Sequence, residues 1–421
     1  MFVIIFSFAY NKSDGLTLKH TYNENEKNLT NYVNLITEQD DDLYRISSDV
    51  SRTEFPNAIF GNINYYQNTI YSSVSNQTFN KLYFDTLANN IPSRNRALTV
   101  SNINILSLML MSNKYLINNY EKLIGYELVT QNNGLNVYKN ENVLPYAFAS
   151  SEVMSYDDFY NLSDHVKQEA LLKNIIIDGE SSNSFKETMK SVKWDFLDVL
   201  DNENVTKDKD GSLNVYVKDD LSITYELPEI YRNKILLIRF KMNKGSYNRD
   251  MSITINNVKN KLTASSWKYY NGNKVFDYVL ASENQEKLVF KFTKGEYNLS
   301  DFEVSVLDYS DIENISSKVD KLIVDKEKTK GDVIAGSINV TNDGFFMASI
   351  PYDNGFKVKV DGVVKDYTKV NDGFIGFPIS KGSHGIEITY EAPLKNIALK
   401  MSLVGIIAFV VICFLESKKK I

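Results

Sequence analysis

Residues 397–415 read IALKMSLVGIIAFVVICFL, with Lys400 as the single charge. As a helix this run is ~29 Å long, about one hydrocarbon core. A buried core helix is the alternative, but such helices seldom end a chain in a basic run, and here Lys418, Lys419 and Lys420 follow directly. That flank is the cytoplasmic signature of a spanning helix. Lys400 lies within a turn of the outer end, where its long stem can carry the ammonium to the headgroups. Residues 395–416 are therefore expected to cross a membrane, with 417–421 a basic cytoplasmic tail and the bulk of the chain extracytoplasmic. Cys413 then sits in lipid as inert filler.

The other end differs. Met1–Tyr10, MFVIIFSFAY, is apolar but covers only about half a bilayer. It lacks the basic n-region and small-residue cleavage site of a secretory leader. It reads as a partial transmembrane stub over 1–12, so the chain is expected to be the C-terminal portion of something longer.

Composition removes most catalytic kits. With one Cys and three scattered histidines, His20, His165 and His384, there is no internal disulfide, no Cys-based zinc or Fe–S site and no paired-His metal motif. No metal and no cofactor are expected. A net charge of −6 gives no basic footprint, so no nucleic-acid partner is expected. The 27 Tyr and 23 Phe among 421 residues argue for packed domains rather than disorder. N-x-S/T sequons at Asn28, Asn76, Asn161 and Asn339 are ordinary in so Asn-rich a chain and carry no argument.

Between the ends the periodicity indicates an α+β chain. Residues 13–150 read as a mixed α/β domain. Asp40-Asp41-Asp42 precedes a short strand at LYRIS, and Ser75-Asn76-Gln77 opens a helix with Phe79, Leu82, Tyr83 and Leu87 on one stripe. Ile103–Met111 reads as a short apolar core helix; Lys114–Asn118 and Leu135–Lys139 read as strands. Residues 151–310 read as helices plus an antiparallel β-sandwich, jelly-roll-like. Ser155 and Ser163 cap two helices, with Asp157 and Asp158 favoured in the first turn and Tyr156, Phe159 and Tyr160 on the inner side. Phe185–Leu200 reads as a further amphipathic helix. Seven β-rich runs follow, at Leu213–Val217, Ser222–Leu227, Lys234–Met242, Met251–Val258, Val275–Ala281, Lys287–Thr293 and Phe302–Leu307. Residues 311–394 read as a small β-sandwich, its charged Lys318–Lys330 lead-in a helix or linker. Asp361-Gly362 there gives a type I′ turn signal, and Gly373–Ile379 is expected to pair with His384–Tyr390.

Candidate functional residues are few. Asp40-Asp41-Asp42 is the nearest approach to a D-x-D cluster, although a solvated turn explains it as well. Arg45 and Arg52 have the planar donors that suit a phosphate or anionic polymer. Trp267, Tyr269 and Tyr270 form the one aromatic cluster suited to stacking on a sugar, against the simpler reading of core and rim packing. His384 reads as a turn residue.

Several of these pieces, in order, resemble the extracytoplasmic part of the YfhO family of bacterial membrane proteins. Asp42-Leu43-Tyr44-Arg45 is similar to the family's D-x-Y-R opening. Asn68–Ser73 and the Phe79–Phe84 helix, Leu106–Ile117, Val143–Phe148, and finally Ser349–Phe356 with Val360-Asp361-Gly362 and Lys381–His384 follow. Phe356 stands where the family more often has Trp. The resemblance implies a polytopic protein similar to lipid-linked-sugar glycosyltransferases, transferring a sugar from a polyprenyl-phosphate donor to a teichoic-acid-type wall polymer. The catalytic acids would then lie on an N-terminal helical bundle that this chain lacks. The implied partners are membrane lipid, the polyprenyl-linked sugar, the wall polymer and the bundle as a separate chain. This chain would supply acceptor binding or support, with Asp42, Arg45, Trp267 and Tyr270 as the substrate-binding candidates and the catalytic residues unknown. A stand-alone membrane-anchored glycan-binding or structural module is the alternative.

Overall fold

The computed structural model describes residues 19–48, 65–67, 76–91, 103–118, 122–132, 134–182 and 185–418. The apolar stub at 1–10, Arg52, the Asn68–Ser73 motif and Lys419 and Lys420 lie outside the described residues. The chain is α+β, built as an N-terminal sheet with a covering helix, a jelly roll, a C-terminal sandwich and one terminal helix.

In the N-terminal sheet, Arg45–Ser48 runs parallel to Asn113–Asn118, which pairs with Leu135–Lys139, and that strand pairs with Glu127–Asn132. Helix Lys19–Thr37 lays Leu29, Tyr32, Val33 and Ile36 on Tyr44, Ile46, Tyr115, Ile117 and Val137. The Glu127–Asn132 strand had no sequence signal, because as a solvent-facing edge strand it shows Leu128 and Val129 to water. Asn76 caps the Gln77–Asn80 helix through its side chain, and the next turn widens into a π-helix over Lys81–Thr86. Helix Ile105–Leu110 is buried at every position, as its apolar run predicts.

Ser155 and Ser163 cap Tyr156–Tyr160 and Asp164–Lys173 as expected. Phe159 is buried, but Tyr160 is exposed and its hydroxyl donates to Asp372 at 2.6 Å. Phe185–Leu200 is not one helix. Lys190–Val192 pairs as a strand with the 295–307 strand, and a single turn follows at Phe196–Val199. Sheet pairing wins because the jelly roll offers backbone partners that a short helix would forgo.

The jelly roll comprises eight strands: Leu213–Val217, Leu221–Glu226, Ile235–Met242, Met251–Ile255, Val258–Leu262, Val275–Leu280, Lys287–Phe292 and Gly295–Leu307. Numbered one to eight, they form two sheets with orders 6-3-8-1 and 2-7-4-5, the double Greek-key arrangement. Met251–Val258 is thus two strands, because Asn256, at φ 51°, turns the chain. Alternate residues of Ile235–Met242 explain the layering. Leu236, Ile238, Phe240 and Met242 fill the sandwich interior, while Ile235 and Leu237 are equally buried on the other face. Helix Asp164–Lys173 covers that other face, where its His165 Nδ1 meets Ser305 Oγ at 2.8 Å.

The C-terminal sandwich closes two five-stranded sheets over Phe346, Phe377, Ile338, Val358 and Ile386. Ala147–Ser150 crosses over to pair with Gly344–Pro351; a Cβ on Gly344 would fall 2.2 Å from the Ser150 carbonyl oxygen, so only glycine allows this approach. Lys318–Lys330 is neither helix nor plain linker: Asp320–Lys321 joins one sheet and Ile323–Val324 the other. Phe374–Ile379 and Gly382–Tyr390 do not pair. They lie in opposite sheets, the first against Gly344–Pro351 and the second between Val333–Val340 and Phe356–Val360. The Ser380–Ser383 link carries the chain across the sandwich rather than around a hairpin. Asp361 and Gly362, at φ 53° and 80°, make the expected type I′ turn.

Helix Lys395–Lys418 begins after a four-residue link from Tyr390. Its stretch Lys395–Glu416 is long and apolar enough to cross a membrane, and none of its best apolar window is buried against the rest of the protein.

Candidate functional site

The acidic turn Asp40–Asp42 follows the end of the Lys19–Thr37 helix and opens the strand that carries Arg45. Asp40 Oδ1 accepts from the Asp42 backbone N–H, which closes the turn. Lysines from three other segments converge on it. Lys114 Nζ lies 2.8 Å from Asp40 and 3.0 Å from Asp42, Lys139 3.2 Å from Asp40, and Lys321 2.5 Å from Asp42; Lys326 reaches Asp41. Glu141 completes the network at 3.2 Å from Lys114 and 2.5 Å from Lys139. Tyr115 donates to Asp40 at 2.9 Å.

Burial works to raise the Asp40 carboxyl, but the Lys114 contacts, the Asp42 backbone bond and the Tyr115 bond outweigh it and hold it at about 2. Asp42 is lowered in the same way by Lys321 and Lys114 against its burial. Both are carboxylates at neutral pH and weak proton acceptors, so the turn is poorly suited to general acid or base work. It is suited to positioning.

Beside the turn lies a cleft of about 450 Å³, lined by Asp40–Asp42, Tyr44, Tyr65, Tyr66, Thr30, Asn34 and Lys326. Its walls combine aromatic rings with hydroxyl, amide and charged groups, and Asp41 and Lys326 stand exposed at the rim. Tyr65, Tyr66, Lys114, Lys139, Lys321 and Lys326 escaped sequence reasoning, since strands and segments up to 285 residues apart bring them together.

Of the sequence candidates, Asp42 is in this site. Arg45, three residues further along the chain, points elsewhere. It is buried, its Nη1 donating to Met111 O at 2.8 Å and Ser349 Oγ at 2.7 Å and its Nη2 to Ser349 O at 2.5 Å, with its guanidinium 4.2 Å above the Tyr146 ring. Instead of an open contact for an anion, it is a joint between the N-terminal sheet and the C-terminal sandwich. Trp267 and Tyr270 lie on the jelly-roll loop after Val258–Leu262, on a different layer. Asn271 pins that loop, accepting from Thr263 N at 3.1 Å and donating to Lys261 O at 2.8 Å. Trp267 and Tyr269 are exposed and meet edge-on at 5.5 Å, whereas Tyr270 packs half-buried against the core. His384 bonds Asp361 and Ser380 O beside the type I′ turn, the structural role its place suggested. Among the described residues no group of three or more His, Cys, Asp or Glu is arranged to hold a metal.

The family described as bacterial membrane protein YfhO matches residues 2–402. The uncharacterized protein YfhO of Bacillus subtilis (strain 168) is 23% identical over 278 residues, covering 64% of this chain and 31% of that protein. The match thus spans about a third of the relative's length. Solved structures overlap only loosely. A Bacteroides uniformis β-glucuronidase shares 8% identity over 42% of this chain and 22% of its own, at a TM-score of 0.15; a Paenibacillus xanthan lyase shares 11% over 66% and 31%, at 0.17. Likeness at that level carries no argument. With a family match across nearly its whole length and one apolar helix standing free of the fold, the chain belongs to the YfhO family of bacterial membrane proteins.

Proposed function

We propose that this chain is the extracytoplasmic portion of a protein acting in cell-envelope polymer glycosylation, and that it binds or supports the acceptor rather than performing the transfer. The donor in this reading is a polyprenyl-phosphate-linked sugar and the acceptor a teichoic-acid-type polymer. In this reading a helical membrane bundle supplies the chemistry. The observation that carries the reading is the cleft of about 450 Å³ beside Asp40–Asp42, lined by the half-buried Tyr65 and Tyr66, with Asp41 and Lys326 as exposed charges at the rim. Aromatic faces with a few placed polar groups are what polyol and glycan recognition requires. Asp40 and Asp42 are held ionised there by their lysine partners, so they suit binding more than proton transfer.

The test is binding of purified lipoteichoic acid to the full chain in lipid nanodiscs. The exposed pair is altered by Asp41→Lys and Lys326→Glu, singly and together. Binding that weakens about tenfold in each single variant supports the cleft. Binding lost on changing Trp267 and Tyr270 to Ala, with the cleft variants unaffected, moves acceptor recognition to the jelly-roll loop and favours a stand-alone glycan-binding module. Absence of any binding removes the proposal.

A further inference from the structure

One end of the jelly roll gathers positive charge and aromatic rings. Residues 243–274 hold six lysines and arginines and a single acid, Asp250, in a chain whose net charge is −6. Two loops of that stretch meet there. The 243–250 loop joins strands three and four, and the 263–274 loop joins strands five and six. Ser266 N donates to Tyr247 O at 2.9 Å and Ser265 N to Ser246 O at 3.3 Å, so the loops lie side by side. Asp250 is engaged within the pair, accepting from Ala264 N at 2.8 Å and holding Lys261 at 2.6 Å. Asn271 fixes the second loop from inside.

This frame presents rings and cations to solvent together. Tyr247, Trp267 and Tyr269 stand exposed, and so do Lys244, Arg249 and Lys268. Lys268 Nζ lies 5.6 Å from the centre of the Tyr269 ring, which meets Trp267 edge-on at 5.5 Å. Among the described residues no carboxylate pairs with Lys244, Arg249 or Lys268. Asp219 and Asp220, the acids of the link between strands one and two, sit at the opposite edge of both sheets. Exposed rings and like charges held together in this way gain nothing from the fold, and they suit a ligand that is itself ringed and anionic.

The position of the loops selects among such ligands. Strand eight begins at this end, where Gly295 lies against Met251, and runs to Leu307. There the chain leaves for the C-terminal sandwich and the terminal helix. The patch is therefore on the end of the jelly roll turned away from that exit, which favours a polymer over the bilayer itself. Sugar rings stack on Trp and Tyr faces, and charges spaced along a sugar chain meet the ammonium and guanidinium groups between them. We propose that the 243–250 and 263–274 loops bind an anionic polysaccharide, its rings on Tyr247, Trp267 and Tyr269 and its carboxylates or phosphates on Lys244, Arg249 and Lys268. The site is on a different layer from the cleft at Asp40–Asp42 and does not depend on it.

Binding of carboxymethyl-dextran to the full chain in phosphatidylcholine nanodiscs tests this, with dextran as rings without charge and polyglutamate as charge without rings. Carboxymethyl-dextran is expected to bind about tenfold more tightly than either, since only it engages both kinds of group. Lys244→Glu, Lys268→Glu and Trp267→Ala are each expected to weaken it about tenfold, and Lys268→Arg to preserve it. These side chains are exposed, so thermal melts of the variants should match wild type. Absence of carboxymethyl-dextran binding overturns the proposal. So does polyglutamate binding as tightly with Trp267→Ala without effect, which makes the loops a bare charge patch. Capture of phosphatidylglycerol vesicles in preference to the polymer, lost in the same variants, also overturns it and makes this end a lipid contact. Asp41→Lys and Lys326→Glu are expected to bind carboxymethyl-dextran as wild type does, so lipoteichoic acid binding lost in them alone bears on the cleft and leaves this site standing.

Discussion

Arg45 and Ser349, 304 positions apart, are joined twice: the guanidinium donates from Nη1 to the Ser349 hydroxyl and from Nη2 to its carbonyl oxygen. A third bond to Met111 O and the Tyr146 ring beneath complete the seat. One buried side chain therefore ties the strand that begins at the acidic turn to a strand of the C-terminal sandwich. Ser349 in turn donates to Tyr146 O, so the ring under the guanidinium is held by the residue the guanidinium binds.

Arg45→Lys is expected to destabilise the chain by on the order of 3 kcal/mol. An ammonium cannot present the planar fork, and the buried carbonyl oxygens it leaves are costly. Denaturant titration of the full chain checks this; a midpoint unchanged by the substitution would show the joint to be dispensable.

Asp40 is held at about 2 against an ordinary 3.8. Because the folded value is depressed, its contribution is complete above pH 4 and is lost as pH falls through about 2. That contribution is about 2 kcal/mol. Asp40→Asn should remove this segment of the acid-stability curve, flattening it relative to wild type below pH 4.

His165 gives a second, higher window. Burial, with the Arg239 charge, holds its imidazole at about 4 against 6.5, Asp164 opposing. The folded chain resists the proton that the unfolded chain accepts, so stability is full above pH 6.5 and declines as pH falls to about 4, by about 3 kcal/mol. His165→Asn is expected to lose stability at pH 7 yet show a shallower slope between those values, read by thermal melts across pH.

Glu169 is wholly buried in the Asp164–Lys173 helix. Its oxygens accept from Thr188 N at 2.9 Å, Thr188 Oγ1 at 2.6 Å and Met189 N at 2.9 Å, and it pairs with Lys173. Glu169→Ala should cost about 3–5 kcal/mol, as breaking one side of a buried ion pair does. Glu169→Gln keeps part of the set and should cost less; equal effects would mean the carboxylate charge is immaterial.

Ile406 lies near the middle of the free apolar helix and is exposed. Ile406→Arg places a charge at the bilayer centre, at ~2.5–3.5 kcal/mol. Carbonate extraction should release more of this variant than of Ile406→Leu. Equal retention would argue that the helix does not span.

The terminal helix was legible in the sequence because a nineteen-residue run with a single charge needs a nonpolar surrounding whatever the rest of the chain does. So were the caps at Ser155 and Ser163, the core helix Ile105–Leu110, most jelly-roll strands and the Asp361-Gly362 turn, since each follows from residues within one or two turns of each other. The strands within Phe185–Leu200 and Lys318–Lys330 are not legible in the sequence, because they are defined by partners supplied from elsewhere and local periodicity carries no trace of those. Asp42 was legible as charge but not as a member of a lysine-held network. Arg45 looked like an open anion contact because sequence gives a side chain's chemistry without its surroundings. Sequence by itself thus determined the family resemblance, a terminal helix long and apolar enough to cross a membrane, and the β-rich α+β class, all set by local composition and order. Only the tertiary structure decided that Phe374–Ile379 and Gly382–Tyr390 part into opposite sheets and that Arg45 is a joint. Contacts between residues hundreds of positions apart depend on how whole layers pack, and that packing energy is written in no short stretch of chain.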